Sequence, residues 1–106
     1  MSNALPVHPT EERLFLGACL AHLKRADGSQ ANDWSLAETA RRGAAELLTT
    51  YLASPRLPDA LTERAHAALE DLRLGTPEDR DWPATQAQAE RVLPVAMQLL
   101  YVLATT

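Results

Sequence analysis

The segment from Val92 to Ala104 is apolar at every position except Pro94 and Gln98, and it limits the possible folds more than any other stretch of the chain. A helix that is apolar on nearly all sides must be covered on nearly all sides. The segment is therefore predicted to lie at the centre of a helical bundle, or to contact a second chain as well as its own. It falls well short of the roughly 20 apolar residues needed to span a bilayer, which argues against a membrane partner.

The composition is that of an ordinary soluble domain. The chain has 106 residues, of which 46% are hydrophobic and 23% charged, and this length fits one domain. The net charge of -4 argues against a nucleic-acid partner, because such binding needs a concentrated basic face. Lys24 is the only lysine beside many arginines, a bias associated with bacterial genomes rich in G and C.

The N-terminus and the cysteine content indicate the compartment. Residues 1–9 contain two prolines and lack a basic flank followed by an apolar core, so they are predicted to be a flexible arm and not a signal peptide. Residues 10–106 are predicted to be a single helical-bundle domain. Cys19 is the only cysteine, which rules out an intramolecular disulfide and a cysteine-rich metal site. The default expectation is a cytoplasmic protein.

Apolar residues recur at three- and four-residue steps in four segments, and this is the period of an amphipathic helix. Helices are predicted over about 11–26, 35–53, 59–74 and from 81 onward. The inward sides are predicted to hold Phe15, Leu16, Cys19, Leu23 and Ala26; Leu36, Ala40, Ala44, Leu47, Leu48 and Tyr51; Leu61, Ala65, Ala68, Leu69 and Leu72; and Trp82, Ala89, Leu93, Ala96, Leu100 and Leu103. The predicted fold class is all-α, a four-helix up-down antiparallel bundle whose strongly apolar C-terminal helix is kinked at Pro94.

Local signals place the helix ends. Thr10 is a plausible N-cap for the first helix, and Gly28 can adopt the left-handed conformation that ends it. Ser35 and Glu38 have the spacing of a capping box, which predicts that the second helix begins at Ser35. Gly43 borders the apolar stripe of that helix, and a close helix crossing there would explain a glycine.

Two pairs of residues have spacings that chemical sites use. Glu63 and His66 have the Glu-x-x-His spacing of helical di-metal sites, but both are predicted to point away from the apolar side, so no metal site is expected. Cys19 and His22 are three residues apart, but Cys19 lies within the apolar stripe and is expected to be a core residue. Phosphate-binding glycine loops and nucleophile-elbow motifs are absent from the sequence, so neither a cofactor nor catalysis is expected.

Two short stretches resemble known families. Ala21-His22-Leu23-Lys24 resembles the phosphoacceptor stretch of histidine phosphotransfer domains, which are also four-helix bundles, although the lysine follows the histidine by two residues instead of three. This resemblance implies phosphoryl transfer through His22. The stretch 36–43 resembles the first half of a helix-turn-helix, but its apolar stripe continues past Gly43 to Tyr51, which argues against DNA binding.

The leading functional hypothesis is a non-catalytic, acidic protein-interaction module of adaptor, regulator or inhibitor type. A homodimer through the last helix is predicted, because an isolated bundle is expected to expose Val95, Leu99 and Val102, continued by Tyr101. The alternative for that strip is a cover formed by the arm or by residues 76–80. A second hypothesis is a small-ligand-binding or phosphotransfer bundle that uses His22. An exposed His22 beside a concave surface would favour the second hypothesis, and an unbroken apolar patch over the last helix would favour the first.

Overall fold

A computed structural model describes residues 8–74 and 81–105, which contain four α-helices and no strand. The helices are α1 (Pro9–Arg25), α2 (Ala31–Tyr51), α3 (Asp59–Leu74) and α4 (Trp82–Thr105). The all-α prediction with four helices is confirmed. Within these residues, none of the helices combines the length and apolar character that crossing a bilayer requires. Most of the predicted arm and the predicted cover at residues 76–80 lie outside the described residues.

The last helix occupies the centre of the packing, as its sequence predicts. Among the described residues α4 packs against all three other helices, whereas α1 and α3 do not contact each other. Both α2 and α4 bury alanines, and small side chains permit two helices to approach closely. The buried residues of the four helices and of the α2–α3 connection form one apolar core. The predicted inward residues of α3 and α4 all belong to it or pack against it, but Phe15 of α1 is 42% exposed, so its inward placement was wrong.

The exposed strip that was predicted on α4 is absent from the described structure. Val95 and Leu99 are buried inside the single chain, and Val102 is partly buried against the core. The prediction of exposure was wrong for Val95 and Leu99, and only partly right for Val102, because it assumed one narrow inward face. Contact with helices on three sides buries a much wider arc of α4. Tyr101 alone of the four remains well exposed, at 45%.

Two helices begin earlier than their capping signals predict. The N-cap of α1 is His8 and not Thr10, and the His8 side chain accepts a hydrogen bond from the Glu11 amide. Pro9 then occupies the first turn, where its missing N–H costs nothing. The capping box at Ser35 is not used, since α2 begins at Ala31.

Trp34 and Trp82 hold the connection between α1 and α2. The indole nitrogen of Trp34 donates to the Gly28 carbonyl at 2.8 Å, and that of Trp82 donates to the Ala26 carbonyl at 3.0 Å. The two rings meet edge to face, 5.1 Å between centroids. These bonds give partners to two part-buried backbone carbonyls of the connection. The Gln86 amide adds a 2.9 Å bond to the Leu23 carbonyl from α4.

The glycines agree only in part with their predictions. Gly28 adopts a positive φ of 79°, but it lies beyond Ala26, the C-cap of α1. An added Cβ at Gly28 would come within 2.9 Å of the Trp82 side chain. At Gly43 an added Cβ would meet only the Glu12 side chain, at 3.9 Å. The close helix crossing predicted at Gly43 is therefore wrong.

Replacing these two glycines by alanine should change stability in opposite directions. Gly43→Ala should raise the free energy of unfolding by about 0.5–1 kcal/mol, because alanine favours the helix and fits the space. Gly28→Ala should lower it by about 1–3 kcal/mol through backbone strain and the contact with Trp82. Urea unfolding of the two variants beside the wild type measures both effects. A stabilised Gly28→Ala protein would contradict the arrangement of the α1–α2 connection.

Candidate functional site

His22 and Asp33 form the one ion-pairing contact between α1 and α2 in the described part of the chain. His22 lies in the last turn of α1 and Asp33 in the first turn of α2, and the His22 Nε2 atom is 2.9 Å from the Asp33 carboxylate. The carboxylate can only accept when ionised, so Nε2 carries the hydrogen. Nδ1 has no hydrogen-bond partner among the described residues. The contact fixes the orientation of the imidazole ring.

A shallow depression lies beside this pair. Its volume is about 260 Å³, and it is lined by His22, Arg25, Ala26, Asp27, Gln30 and Asp33. The His22 side chain is 40% exposed, while the Asp33 side chain is only 7% exposed. Asp27 accepts a hydrogen bond from the Ser29 amide, and hydrogen bonding to Ser29 holds the pKa of Asp27 below its ordinary value. An exposed His22 beside a concave surface is the observation that favours a His22-based function.

The other candidate site residues from the sequence lie apart from the His22–Asp33 pair. Cys19 is 2% exposed in the core, and burial, followed by the nearby Glu12 carboxylate, raises the pKa of its thiol. This is the environment of an apolar core residue, as predicted, and not of a reactive thiolate. Glu63 and His66 are both exposed on α3, which confirms their outward placement. His66 lines a separate depression of about 450 Å³ beside the α2–α3 connection.

A surface on α1 and α4 is the second candidate, and it consists of eight uncharged residues. We call it the α1/α4 face: Leu14, Gly17, Ala18, Ala21, Pro94, Met97, Gln98 and Tyr101. In each helix its four members stand at i, i+3, i+4 and i+7, so they form one helical stripe. All eight are exposed or partly exposed. Among the described residues Leu14 is the most exposed large apolar one, at 70%.

Direct contacts join the two stripes into one surface. The Arg13 guanidinium lies 4.9 Å from the centre of the Tyr101 ring, at one end of the face. Near its middle, an added Cβ at Gly17 would lie 3.3 Å from the terminal methyl group of Met97. Trp82 meets Ala26 beyond the other end, so α1 and α4 lie side by side in opposite directions. The stripes are therefore aligned along their whole length.

The predicted interface residues contribute little to this face. Tyr101 belongs to it, Val102 borders it only as a partly buried residue, and Val95 and Leu99 are inside the chain. Whether any of the four contacts a second chain stays a prediction. The sequence did contain the relevant signal, since no charged residue occurs at 14–21 or at 92–105. From the sequence, the uncharged segment 14–21 was assigned only to the core stripe of α1. The outward positions of that segment were not identified.

A buried polar cluster between α2, α3 and α4 was also missed. Gln88 is 1% exposed; its carbonyl oxygen accepts from Arg41 Nε at 2.8 Å, and its amide donates to the Asp71 carbonyl at 3.1 Å. Arg91 donates to the Asp71 carboxylate at 2.7 Å. This hydrogen bond is the main reason why the pKa of Asp71 lies below its ordinary value. The cluster ties α4 to its neighbours and does not open into a described depression, so we assign it a structural role.

Comparison of the chain with protein-family models, with curated proteins and with solved structures finds no match. The described residues contain no group of three or more histidine, cysteine, aspartate or glutamate side chains placed to hold a metal ion. The His22–Asp33 pair and the α1/α4 face are therefore the two features from which a function can be argued.

Replacing Gln88 tests the buried cluster. Gln88→Leu should lower the free energy of unfolding by about 1–3 kcal/mol, because Arg41 and the Asp71 carbonyl lose a partner in a desolvated place. Gln98 is exposed on the same helix, so Gln98→Leu makes the same chemical change as a matched control and should stay within about 0.5 kcal/mol of the wild type. Urea unfolding at low protein concentration measures both. Equal effects of the two substitutions would show that the cluster contributes nothing to stability.

Proposed function

We propose that this chain is a small, acidic, non-catalytic protein-interaction module of the adaptor, regulator or inhibitor type, and that the α1/α4 face is its binding surface. One observation carries the proposal. Two adjacent helical stripes, from Leu14 to Ala21 and from Pro94 to Tyr101, present eight solvent-accessible positions without a charged side chain. Surfaces of soluble domains usually mix charges of both signs into every region.

The composition of the face also suits protein binding. Contiguous apolar surface tends to mark interaction sites, whereas single apolar residues on a surface are ordinary. Leu14 projects from a surround of small residues, Gly17, Ala18 and Ala21, against which a partner side chain would pack. Tyr101 adds an aromatic ring with a polar end, a residue type enriched among the strongest contributors to interfaces. Gln98 supplies the one side-chain amide of the face.

The proposal also includes several predictions from the sequence. They are the up-down antiparallel order of all four helices, the kink at Pro94, a bacterial and cytoplasmic protein, and a homodimer. α4 continues as a helix through Pro94, and Pro94 itself lies in the α1/α4 face. A bend at Pro94 would therefore change the curvature of the binding surface, because proline leaves the Glu90 carbonyl without its usual partner.

A second candidate function uses His22. The specific observation in its favour is a half-exposed imidazole beside a depression, held by Asp33 through Nε2. An imidazole oriented in this way can accept a proton or a phosphoryl group at Nδ1. This arrangement supports the phosphotransfer-like alternative that the resemblance around His22 implies. We rank it second, because an interhelical hydrogen bond that joins α1 to α2 accounts for the same geometry.

A charge placed in the α1/α4 face should abolish partner binding. The tagged full chain, returned to its native cell and recovered with its partners, should retain a stoichiometric partner, either another protein or the untagged native copy. Leu14→Lys should reduce that partner at least about tenfold, because a lysine would be desolvated at the contact. Ala67→Lys on exposed α3 is the control and should retain the partner. A partner that binds both variants equally would place the binding surface elsewhere.

Labelling with phosphoramidate tests the His22 alternative. A new bond would form between phosphorus and His22 Nδ1 while the donor P–N bond breaks and ammonia leaves. The second candidate predicts one added phosphoryl group per chain in the wild type and in His66→Gln, and none in His22→Gln. Intact mass measured at neutral pH reports the label, which acid should remove. Absence of the label in the wild type, or its persistence in His22→Gln, would rule out phosphoryl acceptance at His22.

A further inference from the structure

We infer that the partner of the α1/α4 face is a second copy of this chain, related by a two-fold axis; the inference depends on the function proposed above. Unlike the homodimer predicted from the sequence, this one does not use Val95 and Leu99, which are buried in each copy. It uses both α1 and α4. The contact is helix pair against helix pair, with the same eight residues on each side.

Charge is the first argument for a second copy. The chain carries a net charge of -4, so two copies repel each other when they meet through their charged surfaces. No charged residue lies within 14–21 or 92–105. A charged partner surface would lose hydration over the eight uncharged positions of this face, and the Arg13 guanidinium beside Tyr101 offers a charge at one end of it. An uncharged partner surface is complementary to the α1/α4 face. The same face on another copy of the chain is such a surface.

Shape is the second argument. Each face consists of two helices that run in opposite directions, so a half turn places α1 of one copy over α4 of the other. In that arrangement Leu14 of one copy faces the Tyr101 end of the partner's α4 stripe, and the two protruding leucines do not meet. An isologous contact of this kind closes on itself and gives a dimer, the commonest soluble oligomer.

The area of the α1/α4 face determines how tightly the dimer is expected to associate. At 1.5 Å per residue the stripes are about 10 Å long, and two packed helices are about 20 Å wide, which gives roughly 200–300 Å² per copy. Stable complexes bury about 800 Å² per partner. Even with flanking residues included, this area is below that of a stable complex, so the expected dimer is weak and reversible. A mass measured at one low concentration would miss it, so a concentration series is required.

Light scattering across a concentration series, from about 1 to 500 micromolar, tests the inference. The wild-type mass should rise from 11.6 kDa toward twice that value. Leu14→Lys should weaken the dimer at least about tenfold, since each dimer would contain two desolvated lysines. The substitution lowers the net negative charge, so general repulsion between chains cannot explain the loss. Ala67→Lys makes the same change of charge on α3 and should leave the dissociation constant unchanged.

A control of folding and a comparison with the partner-capture experiment distinguish the possible outcomes. Circular dichroism checks that Leu14→Lys keeps its helicity; if it does not, Ala18→Lys, at another exposed position of the same face, replaces it. A wild-type mass of 11.6 kDa at every concentration, or a dimer that both lysines leave intact, overturns the inference. If a monomeric wild type still captures another protein through Leu14, the proposed function stands and only the second copy is excluded. If the wild type shows neither a dimer nor a captured partner, both are overturned.

Discussion

The burial of α4 is the constraint on which the rest of the structure depends. Its second half is apolar around most of its circumference, and water can be excluded from it only by several neighbours at once. α1, α2 and α3 provide that cover, and each packs against α4. The part of the circumference that remains accessible carries Pro94, Met97, Gln98 and Tyr101, and that is where the α1/α4 face begins.

The sequence predicted the fold class, because periodic apolar residues report directly on helices. The bounds of α3 agree with their prediction, and the inward residues of α4 are buried as expected. The error lay in the width of the buried arc. Periodicity shows where the centre of an apolar side lies, but the number of neighbouring helices decides how far burial extends from that centre. Val95 and Leu99 are at the margin where this number matters.

The candidate sites were harder to predict, because each depends on residues that are distant in sequence. His22 was singled out from its local motif, but its partner Asp33 comes from the next helix, and the two tryptophan bonds that shape the connection are tertiary contacts. Gln88 gave no signal at all, since glutamine is ordinarily a surface residue. In the α1/α4 face each stripe is visible in the sequence, but their alignment is visible only in the contacts between α1 and α4.

The lack of contact between α1 and α3 has a consequence for how the molecule opens. α3 is attached only through α2 and α4, so it is the helix whose release disturbs the fewest contacts of α1. Local opening of such a peripheral element requires less free energy than global unfolding, and backbone amide exchange would reveal it as a separate cooperative unit. Opening of α3 would expose its side of α4 but would break no direct contact between α1 and α4. The α1/α4 face therefore lies on the two helices whose mutual packing does not involve α3.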